Sequence, residues 1–205
     1  MNAQYARMQL ADTCKMLYDR ELTVSAGGNM SVRLDDDYIL ITPSGKNKGL
    51  LEPEDFLVVD MKTGECVEEG KKPSVETGMH IGLYMNNPDT RAIVHCHPLN
   101  CIAVTMKRGG LKTDLTPEGV LLLGKVPMVG YYTPGSKELA DAVSACASSD
   151  AILMEKHGAV TQGRTLVEAY NRMEELEFQA KLQMTVGRCR SLPPAEVEKL
   201  MGMRR

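Results

Sequence analysis

Apolar residues recur every three to four positions between residues 3 and 20, and this spacing predicts an amphipathic helix. The segment SAGGNMS (25–31) interrupts the pattern. Beyond it, apolar and polar residues alternate at 30–34, 38–41 and 56–60. Because turn residues separate these alternating runs, they predict the strands of a β-meander.

Helical and strand patterns alternate in the rest of the chain. Pro73-Ser74 begins a predicted helix that continues to about residue 85, and the run Arg91–Cys96, rich in Ile and Val, predicts a buried strand that Pro98 ends. The other predicted elements are strands at 119–123, 126–129 and 151–154 and helices at 98–109, 135–147, 165–186 and 194–203. Because hairpin signals lie among the helices, the pattern favours an α/β fold with a mostly antiparallel or mixed sheet.

Composition narrows the expected setting. The chain has 205 residues, which suits one domain with a full core, and its net charge is -3. It has no dense cluster of Lys and Arg, so neither nucleic acid nor an anionic membrane is an expected partner. It shows no membrane-spanning apolar run and no signal-peptide pattern. The six widely spaced cysteines (14, 66, 96, 101, 146 and 189) predict reduced thiols and a cytoplasmic location.

Three of the four histidines stand in two short motifs, His95-Cys96-His97 and His157-Gly158. Alternate residues of a strand share one face, so the rings of His95 and His97 are expected about 6–7 Å apart along the chain, where they can bind one metal ion. Cys96 points to the opposite face and is predicted to be a core thiol. With His157 as the natural third ligand, the set is typical of a catalytic zinc site that keeps an open position.

Glu76 and His80 are four residues apart and therefore share a face of the helix predicted from Pro73. Beside a three-histidine metal site, the carboxylate could be a ligand, a partner of a ligand or the general base that carbonyl chemistry requires. The alternative interpretation is a solvated helix pair. His80 is predicted to support the site structurally rather than to bind the metal.

Three segments rich in Gly and Ser are candidates for anion binding. Ser25–Asn29 can expose consecutive backbone N–H groups, and the Asn29 side chain adds a donor. Thr42–Gly45 is a second such loop, and Ser74 lies where a predicted helix begins. Turns often contain these residues, but three such segments together with a candidate zinc site favour a phosphate pocket.

Five motifs, in this order and spacing, resemble the class II aldolase/epimerase family, which includes the head domain of adducin. They are AGGNMSVR (26–33), ITPSG (41–45), KPSVET (72–77), VHCHP (94–98) and KHGAVTQG (156–163). The resemblance implies a three-layer α/β/α fold with a central, largely antiparallel sheet. It also implies a single domain over residues 1–205, with 187–205 as a C-terminal tail, and a homotetramer whose sites lie near subunit interfaces.

The same resemblance implies roles for individual residues. The family's ligands to zinc, one ion per subunit, correspond to His95, His97 and His157, and its catalytic acid/base corresponds to Glu76, which also ligates the metal in some members. Its phosphate contacts correspond to Gly28, Asn29, Ser44, Gly45 and Ser74. The implied reaction is reversible cleavage of a ketose 1-phosphate, such as L-fuculose 1-phosphate, to dihydroxyacetone phosphate and an aldehyde such as lactaldehyde, through an enediolate that zinc stabilises.

Two positions depart from the aldolase pattern. Val75 stands where the pattern has a second serine, so one phosphate-binding hydroxyl is missing. A catalytic tyrosine that exchanges a proton with the aldehyde oxygen should lie near Thr116, where the chain has no tyrosine; Tyr131 and Tyr132 are nearby in sequence. These departures imply another proton donor or another substrate.

Related activities are the alternatives. Pentulose-5-phosphate 4-epimerases tend to carry Asp at the position of Glu76, which favours the aldolase, whereas methylthioribulose-1-phosphate dehydratases share the three histidines and a Glu. A non-catalytic scaffold similar to adducin is disfavoured because adducin heads lack those histidines. A purely structural zinc site would need a fourth ligand, for which the candidates are Glu76, Cys96 and Cys101.

Overall fold

Seven strands form a central sheet in the computed structural model, which describes residues 3–188 and 190–204. In chain order they are β1 (Asn29–Arg33), β2 (Tyr38–Ile41), β3 (Leu57–Asp60), β4 (Ala92–Cys96), β5 (Met128–Val129), β6 (Ala151–Met154) and β7 (Gly158–Gly163). Their order across the sheet is β3-β2-β1-β4-β7-β6-β5. All neighbouring strands are antiparallel except β5 and β6. The prediction of a largely antiparallel sheet is confirmed.

Helices cover both faces of this sheet. They are α1 (Ala3–Asp19), α2 (Thr77–Asn86), α3 (Leu99–Thr105), α4 (Lys137–Ser144), α5 (Leu166–Val186) and α6 (Pro194–Met201). α1, α3 and α5 share one apolar cluster with the sheet, to which Val94 contributes. α2 and α4 share a second cluster, to which Ile93 contributes. Adjacent residues of β4 thus point into opposite layers, and the predicted α/β/α architecture is confirmed.

The apolar run at 119–123 does not form the predicted strand. Gly119–Leu123 is a short π-helical segment. Val120 and Leu123, three residues apart, are buried, whereas Leu122 is 40 % exposed. Apolar runs this short are compatible with either a strand or a helix. The strand predicted at 126–129 is reduced to β5, and β7 follows β6 where no strand is predicted from the sequence.

α2 begins later than the pattern predicts. Its first residue is Thr77, and Glu76 is the N-cap with φ -98° and ψ 15°. Pro73 forms an antiparallel bridge with Pro43, and a turn at 75–76 follows before the helix begins. Glu76 is therefore the cap of the helix, but its carbonyl accepts from the His80 N–H at 3.4 Å and both side chains contact Asn29, so the two side chains lie on one side as expected.

The C-terminal segment returns to the body of the fold. The Leu192 N–H donates to the Asp114 carbonyl at 2.8 Å, and the Arg204 guanidinium pairs with the Asp150 carboxylate. The assignment of residues 1–205 to one domain stays a prediction. Within the described ranges, none of the helices combines the length and apolar character that a membrane span requires.

The described cysteines are free thiols. Cys14, Cys96 and Cys101 are buried, and Cys66 and Cys146 are partly exposed. The predicted placement of Cys96 on the core side of β4 is confirmed by its position in the cluster beneath α1, α3 and α5. Cys189, the sixth cysteine, lies outside the described residues.

Candidate metal centre

Three histidines converge at one end of the central strands. His95 is the fourth residue of β4, is fully buried and pairs with Asn29 of β1. His97 follows two residues later, just beyond the strand. His157 lies in the turn between β6 and β7, where the preceding Lys156 has a positive φ of 56°. The antiparallel pairing of β4 with β7 and the left-handed turn residue of the β6–β7 hairpin therefore bring the three side chains together.

The imidazole rings face one another across a small volume. The ring centroid of His95 lies 4.9 Å from that of His97, and His157 lies 5.1 Å from both. One ligand nitrogen from each ring lies within 4.8 Å of the others. The cluster could hold a metal ion.

The carboxylate of Glu76 lies against the same cluster. Its Oε2 atom is 3.1 Å from Nε2 of His95, and its Oε1 atom is 3.4 Å from Nε2 of His157. The side chain is 5 % exposed, and Oε1 accepts no hydrogen bond from the described residues. A buried carboxylate oxygen without a donor is unfavourable unless a cation or a bound molecule satisfies it.

These distances fit a divalent cation. Around a tetrahedral zinc ion with bonds of roughly 2.0–2.1 Å, ligand atoms lie about 3.3 Å apart. The Nε2 atoms of His95 and His97 are 3.1 Å apart. Nδ1 of His95 lies 2.9 Å from the Ala159 carbonyl, to which its N–H donates, and this contact turns Nε2 towards the cluster. Cys96 and Cys101 belong to the apolar cluster on the other face of the sheet, so neither supplies a fourth ligand.

Burial keeps two of the rings uncharged. Desolvation and the neighbouring imidazoles lower the pKa of His97 to about 3, and desolvation with His95 lowers the pKa of His157 to about 4. Burial also acts to lower the pKa of His95, but the Glu76 carboxylate outweighs it and raises that pKa. For Glu76, burial opposes ionisation, yet the contact with His95 holds the pKa well below its usual range. A carboxylate and neutral imidazoles are the forms that bind metal.

Polar side chains support Glu76 from behind. Nδ2 of Asn29 donates to Glu76 Oε2 at 2.8 Å, and Oδ1 of Asn29 lies 2.5 Å from Nε2 of His80. His80 is fully buried, so the solvated helix pair is excluded. The side chain of Asn29 is thus engaged within the protein, although a phosphate contact is the role implied by the resemblance.

Of the other residues predicted to contact phosphate, Ser74 lies directly beside Glu76. The loops that carry Ser44 and Ser74 run side by side, because Ser74 N–H donates to the Thr42 carbonyl at 3.2 Å and Ser44 N–H donates to the Lys72 carbonyl at 3.0 Å. Oγ of Ser74 accepts from the Glu76 N–H at 3.2 Å. Ser74 is buried and Ser44 is exposed. Ser74 therefore contacts Glu76 directly, whereas Ser44 lines a separate surface cavity with Lys46 and Lys72.

The two glycines predicted to contact phosphate differ in their surroundings. Gly28 has a φ of +72°, and a β-carbon there would lie 2.6 Å from the His95 carbonyl oxygen, so the loop can approach β4 only with glycine. Gly45 has a φ of +74°, and no atom of the described residues lies within 4 Å of the position of a β-carbon there. The phosphate roles of these residues stay predictions.

The positions that depart from the aldolase pattern lie in ordinary structural contacts. Val75 is 68 % exposed and lines a cavity with Glu76 and Gly135. Oγ1 of Thr116 accepts from the Gln179 side chain at 2.6 Å. Tyr131 and Tyr132 are 58 % and 38 % exposed, respectively.

Sequence reasoning missed Lys48, which is almost fully buried beneath the loop at 25–28. Its ammonium donates to the carbonyls of Ala26 and Lys46, each at 2.9 Å. Desolvation lowers its pKa. No pattern in the sequence separates this lysine from the exposed ones nearby, because its burial arises from contacts 22 residues apart.

This fold and this cluster are those of a class II aldolase-type enzyme. Residues 8–184 match the family described as "Class II Aldolase and Adducin N-terminal domain", and the chain belongs to that family. The prediction of a lyase of this class is confirmed by its relatives, whose names also show that their reactions differ.

Two curated relatives illustrate the range of reactions that the relatives' names describe. The L-fuculose phosphate aldolase of Methanococcus vannielii is 41 % identical over 173 residues, which cover 84 % of this chain and 92 % of the relative. The 3-oxo-tetronate 4-phosphate decarboxylase of Haemophilus influenzae is 38 % identical over 194 residues, which cover 91 % of each. Among solved structures, YgbL of Escherichia coli, described as a candidate aldolase/epimerase/decarboxylase, has a TM-score of 0.90 at 34 % identity, covering 98 % of this chain and all of that one.

Proposed function

We propose that this chain is a zinc-dependent lyase that reversibly cleaves a ketose 1-phosphate, such as L-fuculose 1-phosphate, to dihydroxyacetone phosphate and an aldehyde such as lactaldehyde. The observation that carries the proposal is the Glu76 carboxylate lying 3.1 and 3.4 Å from two of three clustered imidazoles. The L-fuculose phosphate aldolases among the curated relatives support the choice of substrate class.

His95, His97 and His157 would hold one zinc ion per subunit, with Glu76 as a further ligand before substrate binds. When bound, a divalent ion supplies positive charge that stabilises the negative charge developing on substrate oxygens as the bond breaks. Three nitrogen ligands leave room for such oxygens. A sulfur-free set of histidines and a carboxylate is the donor chemistry of a catalytic zinc site rather than of a closed structural site.

Glu76 is the proposed proton carrier. In cleavage, the C4 hydroxyl gives up its proton to a base at that end of the substrate and becomes the aldehyde carbonyl. The electron pair of the broken C3–C4 bond remains at C3 beside the ketone, and Glu76 gives a proton to that carbon to form dihydroxyacetone phosphate. In synthesis it removes the same proton. No donor among the described residues reaches its Oε1 atom, which leaves that oxygen available to the reacting carbon.

The loops around Gly28, Ser44, Gly45 and Ser74 are the proposed phosphate cradle. Backbone N–H groups and hydroxyls there would fix the phosphate end of the substrate. Binding at a remote group orients the reacting carbon towards Glu76 and so contributes to the rate.

A second candidate is decarboxylation of a 3-oxo acid phosphate. In 3-oxo-tetronate 4-phosphate, loss of the C1 carboxyl as CO2 leaves an electron pair at C2 beside the C3 ketone. Protonation of C2 yields dihydroxyacetone phosphate, the same product as in aldol cleavage. This route releases no aldehyde, so it needs no group to exchange a proton with an aldehyde oxygen. The engagement of Thr116 by Gln179, where the aldolase pattern has a tyrosine, favours this candidate.

The deciding experiment measures the second product. Purified protein, with and without added zinc, is given a panel of ketose 1-phosphates and 3-oxo-tetronate 4-phosphate, and dihydroxyacetone phosphate, aldehyde and CO2 are quantified. EDTA should abolish turnover and zinc should restore it. Aldehyde release supports the aldolase and CO2 release the decarboxylase. Water loss or epimerisation without carbon–carbon cleavage would contradict both, as would full turnover in verified metal-free protein.

The homotetramer and the cytoplasmic location remain parts of this proposal. A tetramer would place residues of one subunit beside the metal centre of the next, which the resemblance implies. Light scattering on the purified protein measures the mass directly. A monomer with full activity would contradict the assembly.

A further inference from the structure

A continuous file of buried polar side chains leads away from Glu76 and along α2. We call it the polar file; its members are Glu76, Asn29, His80, Ser31 and Tyr84. Beyond the Asn29 contacts described above, Nδ1 of His80 lies 2.7 Å from Oγ of Ser31, and that oxygen lies 2.8 Å from the Tyr84 hydroxyl. Every member is at most 5 % exposed. Water therefore does not compete for these hydrogen bonds.

Chemistry determines the direction of each hydrogen bond in the polar file. An ionised carboxylate only accepts, so the Asn29 amide nitrogen faces Glu76 and the Asn29 oxygen faces His80. His80 must then donate from Nε2. In a neutral imidazole, Nδ1 consequently accepts from the Ser31 hydroxyl.

The far end of the file is determined in the same way. Ser31 has one hydroxyl proton, which goes to His80, so the Tyr84 hydroxyl must donate to Ser31. Burial raises the pKa of Tyr84, which keeps that proton in place. Burial, together with the charge of the His95 ring, lowers the pKa of His80 to about 3, which keeps the His80 ring neutral. All four donors therefore point towards Glu76.

Glu76 needs such a restraint. As the N-cap it lies outside α2, and its side chain makes no capping hydrogen bond that would hold it. Asn29 reaches Oε2 from behind and Nε2 of His95 lies 3.1 Å from the same oxygen, while Oε1 accepts no hydrogen bond from the described residues. Only one orientation of the Asn29 amide satisfies both Glu76 and His80, so His80 selects the orientation that supports the carboxylate.

We propose that His80 is a positioning residue, which acts through Asn29 to hold the Glu76 carboxylate in the orientation that proton transfer requires. The inference rests on the proposed acid/base role of Glu76. It also gives the Asn29 side chain a role in proton transfer rather than in phosphate binding.

A hydrogen-exchange assay tests this without knowledge of the aldehyde. Zinc-loaded protein is incubated with dihydroxyacetone phosphate in D2O, and incorporation of deuterium at the carbon that Glu76 protonates is followed by NMR. His80→Leu should slow exchange at saturation by about 100-fold, because misplacing a catalytic group by about 1 Å has that effect. The apparent affinity for dihydroxyacetone phosphate and the zinc content should not change.

His80→Gln is the conservative variant. Its amide nitrogen can replace Nε2 of His80 as the donor to Asn29, so exchange should recover most of the wild-type rate. Thr90→Val is the matched control, because it removes a buried side-chain hydrogen bond, from Thr90 to Gln162 at 2.9 Å, away from the polar file. Equal losses in His80→Gln and His80→Leu, a comparable loss in Thr90→Val, or a loss that appears as weaker binding would overturn the proposal.

A second measurement needs no substrate and no activity. Long-range 15N–1H spectra of histidine-labelled protein distinguish the tautomers of the four imidazoles, with His80→Gln identifying the His80 signals. In both zinc-loaded and metal-free protein, His80 should be neutral with its proton on Nε2. A proton on Nδ1, or a charged ring at neutral pH, would overturn the inference. If wild-type protein exchanges no deuterium while the Nε2–H tautomer is present, the proposed function fails but the hydrogen-bond arrangement holds.

Discussion

A β-carbon on Gly158 would lie 2.9 Å from Cδ2 of His97 and 2.3 Å from the Cys96 carbonyl oxygen. Glycine at the start of β7 therefore allows the His97 ring to lie against the strand. Gly158→Ala should displace His97 and weaken zinc binding by about 10–100-fold, the range for disturbed support of a metal ligand. Titration calorimetry with zinc measures this.

Gly130→Ala is the matched control for that substitution. Nothing lies within 4 Å of a β-carbon at position 130, and the residue has no positive φ. Its zinc affinity should equal that of the wild type. Unchanged affinity in Gly158→Ala would mean that His97 does not bind the ion.

Glu76→Gln should separate metal binding from catalysis. The three imidazoles remain, so zinc should still bind, whereas the amide cannot carry the proton. Turnover and deuterium exchange into dihydroxyacetone phosphate should fall by about 10²–10⁴-fold, the usual contribution of a general acid/base. Turnover in Glu76→Gln within tenfold of the wild type would assign the proton transfer to another residue.

Zinc affinity should fall as the pH is lowered, and one proton should account for most of the change. Zinc binds the unprotonated Nε2 atoms, and the pKa values of His97 and His157, about 3 and about 4, keep these two rings neutral in mild acid. The raised pKa of His95 makes this ring the group that a proton reaches first. Affinity should therefore drop about tenfold per pH unit below that pKa.

Competition with a chelator at several pH values measures this slope. In Glu76→Gln the loss should begin at lower pH, because the carboxylate that raises the pKa of His95 is gone. A slope of two or three protons above pH 5 would contradict the assignment of His97 and His157 as neutral rings.

Lys48→Met should destabilise the fold. The substitution removes the donor from the buried carbonyls of Ala26 and Lys46, and leaving such groups unsatisfied costs about 1–3 kcal/mol. Urea unfolding measures the change. Lys15→Met is the control, since that lysine is exposed and forms only a surface pair with Asp19, so its effect should stay within about 0.5 kcal/mol. Equal stability of the two variants would show that the Lys48 contacts add nothing.

The elements with clear periodicity were predictable from the sequence. α5 begins at its Thr165 cap, which accepts from the Glu168 N–H, and the strand that carries His95 ends where Pro98 requires it. Local rules did not predict the position of Glu76 at the helix cap, because α2 begins only after the bridge between Pro43 and Pro73. They were also insufficient for the run at 119–123, whose apolar residues suit either a strand or a helix.

The ligand set was predictable because histidine is rare in this chain and alternates along one strand. Its support was not. Asn29 and Glu76 are 47 residues apart, and Ser31 and Tyr84 are 53 apart, so only the folded sheet shows that they touch. Single-sequence patterns carry no information about such contacts. For that reason the sequence indicates only that Asn29 could donate a hydrogen bond to a bound anion.

The pairing of Asn29 with His95 across β1 and β4 has a consequence for assembly. Side chains alternate along each strand, so a slip of one residue would turn Asn29 towards the apolar layer beneath α1 and leave Glu76 without its donor. Correct register between β1 and β4 is thus required before the metal centre can catalyse proton transfer. Recovery of the deuterium-exchange activity during refolding would accordingly show when β1 and β4 have reached their native register.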